Sequence, residues 1–505
     1  MLENLLSGFV LVAQWQNLLA ILVGALLGYF VGALPGLGPA VSVALLLPFT
    51  YDLSPLTSLA LLTALYGAAE YAGSITAVTI NVPGEASATP TTFDGYQLTL
   101  KGMPAKALGI SMMASFYAGT VSTLALFALS VPLANVALKF GPPEYFALGL
   151  FGLTVVASLA GKSWVKGTIS VLLGLLITSV GLDPITGMAR YAYVPELYEG
   201  IPLIPALVGL FAISEVLVTM EEVTKGNVTY RKISGALPTL KEYLSTHMAM
   251  LRGTIIGFLI GVIPGAGKAI ASFIAYNEEK RVSKHPEKFG TGVLEGVAAP
   301  EAANNAVVSG ALVPLLALGI PGSATAAVLI GAFMIHGLLP GPMLFVKNPD
   351  LVYGLFAALL VGNVFMLAIG LLGTQLWARV LTIPKYVLMP IVLAVSLFAA
   401  YAESNDRFTM WLAVGFGVVG YFMRRFEFPV SPVVLAMVLG DMMESSLRRT
   451  LIISGGKLTL LFTRPVALSI LLLTALSVGY QVYRAFRTRK TETAVAEPVL
   501  RQAAE

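Results

Sequence analysis

Apolar stretches of about 20 residues, repeated along the chain with only short polar links between them, leave this sequence few folds. A helix of that length spans the roughly 30 Å hydrocarbon core of a bilayer. Inside lipid every backbone group has to be paired within the protein, and helices do this. Of 505 residues, 57% are hydrophobic and 11% charged, about half the charge of an average soluble domain. The stretches fall at 15–34, 56–80, 107–131, 145–160, 164–181 and 201–220, then at 253–275, 302–320, 324–339, 351–377, 386–402, 409–423, 430–439 and 465–483. The expected fold is an all-α polytopic membrane protein with roughly 11–14 membrane segments, several of them re-entrant or discontinuous.

No cysteine is present, which removes disulfides, thiolate metal sites and cysteine nucleophiles. The net charge of +4 comes from basic residues in the links, as a cytoplasmic-side bias requires, so no nucleic-acid partner is expected. No Lys or Arg precedes Lys101, whereas Arg484, Arg487, Arg489 and Lys490 follow the last apolar stretch, which puts the C-terminus in the cytoplasm. Residues 1–12 carry Glu3 and no basic side chain, unlike a cleavable signal, and read as part of the mature protein.

Paired Pro-Gly motifs divide the chain. Gly-Ala-Leu-Pro-Gly-Leu-Gly at 32–38 matches Gly-Val-Ile-Pro-Gly-Ala-Gly at 261–267, and Asn81-Val82-Pro83-Gly84 matches Gly319-Ile320-Pro321-Gly322, about 230 residues on in the same order. Proline removes a backbone donor and glycine lets the chain leave helical geometry, so Pro35, Gly36, Gly38, Pro264, Gly265 and Gly267 read as structural hinges. The expectation is two related halves, as inverted repeats: 1–220, a polar cytoplasmic connector at 221–252, a second repeat with added C-terminal helices at 253–483, and a cytoplasmic tail at 484–505. Basic loops flank 253–275 on both sides, which predicts a re-entrant hairpin turning at Pro264-Gly265.

Several motifs resemble one family. Tyr66-Gly67-Ala68-Ala69-Glu70-Tyr71-Ala72-Gly73-Ser74, Asn81 to Glu85, Asp94-Gly95-Tyr96, Glu278-Glu279-Lys280-Arg281, the run Glu295 to Asn305, Gly319 to Ser323 and His336 to Pro342 are similar to the large membrane subunit of the tripartite tricarboxylate transporters, over roughly 24–344. The resemblance implies an ion-coupled secondary carrier in the bacterial inner membrane. It would be served by an extracytoplasmic solute-binding protein and a small membrane subunit. Val82, Ala72 and Lys268 depart from the family's usual residues, so citrate is not assumed as the substrate.

Read singly, Pro83, Gly84, Ser87 and Thr89, with Pro321, Gly322, Ser323 and Thr325, place hydroxyls and free N–H groups where helices restart, a setting that binds anions and equally one that caps helices. Lys268 follows the hairpin tip and can meet a substrate carboxylate or snorkel to the interface. Glu70 is the lone charge in its stretch and, with Asn81, Glu301, Asn304 and Asn305, is a candidate for ion coupling or for helix–helix bonding. The only metal implied is a co-transported Na⁺, with H⁺ as the other choice, and no cofactor is expected. There is no His-Glu-x-x-His motif or Walker loop, and His247, His285 and His336 are not paired at metal spacing, which disfavours an enzyme or an ATP-driven pump. The expected function is uptake of a carboxylate by alternating access, with an anion channel or intramembrane enzyme as alternatives.

Overall fold

Helices fill every apolar stretch that the structure, a computed structural model, describes; it covers residues 2–34, 37–159, 163–183, 186–222, 233, 235–265, 267–380, 385–402 and 405–481. A first set comprises α1 (Leu2–Val12), α2 (Trp15–Gly32), α3 (Pro39–Leu46), α4 (Pro55–Ile80), α5 (Thr89–Leu100) and α6 (Pro104–Ala137). Proline opens α3 to α6, where its missing N–H costs nothing, and Ser54 caps α4 by accepting from the Thr57 N–H at 3.3 Å. α6 runs on past Val131, because the ring of Pro132 is carried inside the helix.

Two helices, α7 (Pro142–Leu159) and α8 (Trp164–Thr178), come next, followed by α9 (Leu203–Leu207), a π-helical turn at Val208–Ile213 and α10 (Ser214–Glu222). A second set holds α11 (Leu240–Val262), α12 (Lys268–Val282), α13 (Glu295–Leu318), α14 (Ala324–Ile335), α15 (Pro342–Lys347) and α16 (Pro349–Val380), with α17 (Lys385–Ala402) and α18 (Arg407–Arg425) after it. α19 (Ser431–Ile453) and α20 (Thr459–Thr463) close the labelled elements. α11 begins at Leu240, inside the stretch expected to be a polar connector, because Thr239 and Glu242 form a capping box there.

Among the described residues six helices are long and apolar enough to cross a membrane, and six shorter apolar helices accompany them. α13 is the most enclosed of the six, with 94% of its apolar window buried.

Small residues set the packing. In lipid no hydrophobic force drives helices together, so contact depends on close approach and interhelical bonds. Gly24, Gly28 and Gly32 put α2 directly on the α4 backbone: added Cβ atoms would lie 2.1 Å from Leu61 O, 2.5 Å from Leu65 O and 2.5 Å from Ala69 O. The same arrangement recurs between α11 and α13, where Cβ atoms on Gly253, Gly257 and Gly261 would lie 2.3, 2.2 and 2.9 Å from the carbonyl oxygens of Ala299, Ala303 and Val307. Contacts between the sets are reciprocal: α3 packs on α14, and α12 packs on α5 and the turn before it.

The chain forms two compact units, Met1–Lys139 with Ser179–Phe426, and Phe140–Thr178 with Glu427–Glu505. In the second, α7 and α8 pack on α19 rather than on the helices next to them in sequence. α19 is also longer than the apolar run at 430–439, since the charged side chains beyond Leu439 do not interrupt it.

Candidate functional site

The two central helices end alike. α4 stops at Asn81 (φ 57°) and α13 at Gly319 (φ 76°), both left-handed caps, and a Pro-Gly pair follows each. The Gly84 N–H donates to Gly73 O at 3.1 Å, and the Gly322 N–H to Ala311 O at 3.2 Å. A Cβ on Gly84 would stand 2.6 Å from Gly73 Cα, and one on Gly322 2.5 Å from Gly261 O, so only glycine fits either break. The α11–α12 turn joins the second break, because the Gly265 N–H donates to Gly322 O at 3.2 Å. Gly265 (φ 75°) and Gly267 (φ 79°) take the positive φ this turn needs. Pro35 and Gly36 lie outside the described residues, while Gly38 opens α3 with Glu85 Oε2 3.4 Å from where its Cβ would be.

Charge gathers beside these breaks. Lys268, the first residue of α12, donates to Glu70 Oε1 at 2.6 Å and also to Glu85. The Glu70 side chain is fully buried, that of Glu85 is 11% exposed and that of Lys268 22%. The Ser87 hydroxyl donates to Glu85 Oε1 at 2.7 Å. Asn304 Nδ2 donates to Glu70 O at 3.1 Å and Asn305 Nδ2 to Gly67 O at 3.3 Å, tying α13 to the middle of α4. Such interhelical bonds contribute about 0.6–2 kcal/mol each in a membrane. Glu70 Oε2, Asn304 Oδ1 and Asn305 Oδ1 remain buried without a partner. A buried orphan acceptor is costly, and a functional ligand or proton is one way to satisfy it.

Glu301 stands in a separate cage of hydroxyls, accepting from Thr91 at 2.5 Å and from Ser111 at 3.1 Å, with Ser111 also bonded to Ser74 at 2.7 Å. Its carboxyl therefore sits among neutral donors rather than beside a cation. Ser323 caps α14 by accepting from the Ala326 N–H at 3.1 Å and is linked to the Tyr66 hydroxyl at 3.1 Å. Thr325 is buried in the first turn of α14, and Thr89 is the half-buried first residue of α5. Asn81 is exposed as a helix cap and is not drawn into the charged cluster.

Sequence reasoning thus named Glu70, Lys268, Ser87 and the two asparagines, which the fold brings together. It gave no role to Glu85, Tyr66, Ser74, Thr91 or Ser111. The one available signal was for Glu85, a charge next to Pro83-Gly84. Asp94, of the Asp94-Gly95-Tyr96 motif, binds the loop before α13: it accepts from the Tyr276 hydroxyl at 2.9 Å and from the N–H groups of Gly292 at 2.7 Å and Val293 at 2.9 Å. Among the described residues no group of three or more His, Asp or Glu side chains is placed to hold a metal ion.

Comparison with known proteins finds relatives in Agrobacterium vitis. An uncharacterized 52.8 kDa protein in the TAR-I ttuC' 3' region of Agrobacterium vitis is 38% identical over 498 residues, covering 98% of this chain and 99% of that protein. An uncharacterized protein in the TAR-II ttuC' 3' region of the same organism is 37% identical over 241 residues, 48% of this chain and 100% of its own length. No solved structure matches the chain significantly. The model of the tripartite tricarboxylate transporter TctA family matches residues 18–435, through both sets of helices and both glycine-locked breaks, and the chain belongs to that family.

Proposed function

We propose that the chain is the carrier of a three-part uptake system. An extracytoplasmic solute-binding protein delivers an organic anion, a tricarboxylate or dicarboxylate, and this chain, beside a small membrane subunit, moves it inward with co-transported Na⁺ or H⁺ by alternating access. The observation that carries this reading is the matched pair of breaks at Gly84 and Gly322. Irregular backbone inside a bilayer persists where it faces protein or substrate, and discontinuous helices build the midplane sites of secondary carriers. The starts of α5 and α14 offer N–H groups, partial positive charge and the hydroxyls of Ser87, Thr89, Ser323 and Thr325 to a carboxylate.

The matched glycine contacts of α2 on α4 and α11 on α13 support reading the two sets as inverted repeats. On this reading α11 and α12 form a re-entrant hairpin turning at Pro264-Gly265 in the bacterial inner membrane. The basic cluster from Arg484 to Lys490 supports a cytoplasmic C-terminus.

The test is uptake of labelled carboxylates into proteoliposomes holding this chain and its small subunit, with the binding protein outside and Na⁺ or pH gradients imposed. Gradient-driven accumulation that Gly84→Ala and Gly322→Ala abolish is the expected result. Equilibration without accumulation would mean a channel.

A further inference from the structure

Lys268 is shared by two carboxylates, Glu70 and Glu85. With all three ionised, the cluster carries one net negative charge, which repels an incoming organic anion. One ammonium holds both carboxylates, so the two negative charges are drawn to the same point. Glu70 Oε2 is a buried oxygen without a partner, and an ionised carboxylate can only accept, whereas a protonated one can also donate.

Among the described residues the surroundings offer no other charge to Glu70. Among the described residues, the titratable groups that face it are Lys268, Glu85 and the Tyr66 phenol of α4 itself. Glu301 of α13 is bonded to Thr91 and Ser111, and Asp94 of α5 to Tyr276 and the loop N–H groups. Tyr29 of α2 donates to Met366 O, Lys106 of α6 pairs with Glu242, and Tyr353 of α16 packs on Phe127 and Phe356. α3 and α14 carry no ionisable side chain.

We infer that the ion coupled to uptake is a proton carried by Glu70, and that this proton frees Lys268 to bind a carboxylate of the substrate. The inference rests on the carrier reading above and adds the ion and its residue. A Na⁺ ion needs several oxygen ligands, and the space between the two carboxylates already holds an ammonium. A proton needs one oxygen. Once Glu70 is protonated, the cluster of Glu70, Glu85 and Lys268 becomes neutral. Lys268 then keeps one carboxylate partner and offers its remaining hydrogens to the substrate. After release on the inner side, Glu70 returns to Lys268 and its proton passes to cytoplasmic water. Only an O–H bond forms and breaks, and one proton enters with each substrate.

The experiment uses the proteoliposomes described above, first in Na⁺-free medium with a pH gradient and then with a Na⁺ gradient alone, with labelled malonate, succinate and citrate as probes and a trapped pH dye. Wild-type protein should admit protons together with the transported probe. Its uptake at subsaturating probe should fall about tenfold per pH unit once the outside pH exceeds the titration range of Glu70. Glu70→Gln should abolish substrate-dependent proton entry. In case that variant fails to fold, binding of the transported probe to wild-type protein in detergent should weaken by the same factor per pH unit, at pH values where the probe itself is fully ionised. Flat binding, proton entry retained in Glu70→Gln, or uptake driven by Na⁺ and indifferent to pH overturns the inference alone. No uptake of any probe under either gradient overturns the carrier reading and this inference with it.

Discussion

Replacing Gly322 by alanine adds one methyl where α13 gives way to α14. The new Cβ would stand 2.5 Å from Gly261 O and 2.6 Å from Ala311 Cα. Both neighbours are backbone atoms and cannot rotate away. Ordinary contact lies near 3.5 Å, so the break has to move outward by about 1 Å. That motion stretches the Gly322 N–H bond to Ala311 O and the Gly265 N–H bond to Gly322 O, both 3.2 Å long. Each contributes about 1 kcal/mol, and overpacking a dense interior costs about 1–3 kcal/mol. A loss of about 2–4 kcal/mol is expected. Gly415 of α18 is the matched control, because a Cβ there meets nothing within 4 Å. The same change at that site should be neutral or stabilise by up to about 1 kcal/mol through helix propensity. Unfolding of the full chain in one detergent, followed by tryptophan fluorescence, ranks both variants against wild type. Equal stability of the two variants would refute the argument that Gly322 is present for lack of space.

Other perturbations separate buried from exposed chemistry. Lys268→Met leaves Glu70 and Glu85 without their cation and should cost about 3–5 kcal/mol, whereas Arg281→Met, whose partner pair with Glu278 has side chains 73% and 31% exposed, should leave stability unchanged; similar melting shifts for the two would rule out a tightly coupled cluster. Asp94→Asn keeps one acceptor oxygen where the carboxylate served Tyr276, Gly290, Gly292 and Val293, so amide hydrogen exchange at 290–293 should speed up, and unchanged exchange counts against Asp94 as the anchor of that loop. Thr91→Val removes the 2.5 Å donor to Glu301 and should lower stability by about 1–3 kcal/mol, measured by the same unfolding assay; no loss means that the hydroxyl cage does not hold Glu301.

Membrane residence, helical class, paired breaks and family were legible in the sequence, because each depends on residues close together in the chain. Twenty apolar residues describe their own solvent, and a Pro-Gly pair marks its own break. Helix limits were less legible where local rules compete. The apolar stretch read at 107–131 ends before Pro132, yet α6 carries that proline inside it, and the polar run before Arg252 reads as a connector yet α11 begins at Leu240. Proline and polar residues end helices in water, but packed neighbours can pair the freed backbone groups in a bundle.

What only the tertiary structure decided is which distant side chains meet. Lys268 lies 198 residues from Glu70 and 183 from Glu85, and Thr91 lies 210 from Glu301. No periodicity spans such separations. The pairs arise because glycines let α2 settle on α4 and α11 on α13, which sets the depth at which α12 starts beside the first break. The same holds for α7 and α8, which pack on α19 far along the chain. Local chemistry chose the solvent and the helices, while the charge balance at Glu70 depends on backbone spacing that only the packed helices define.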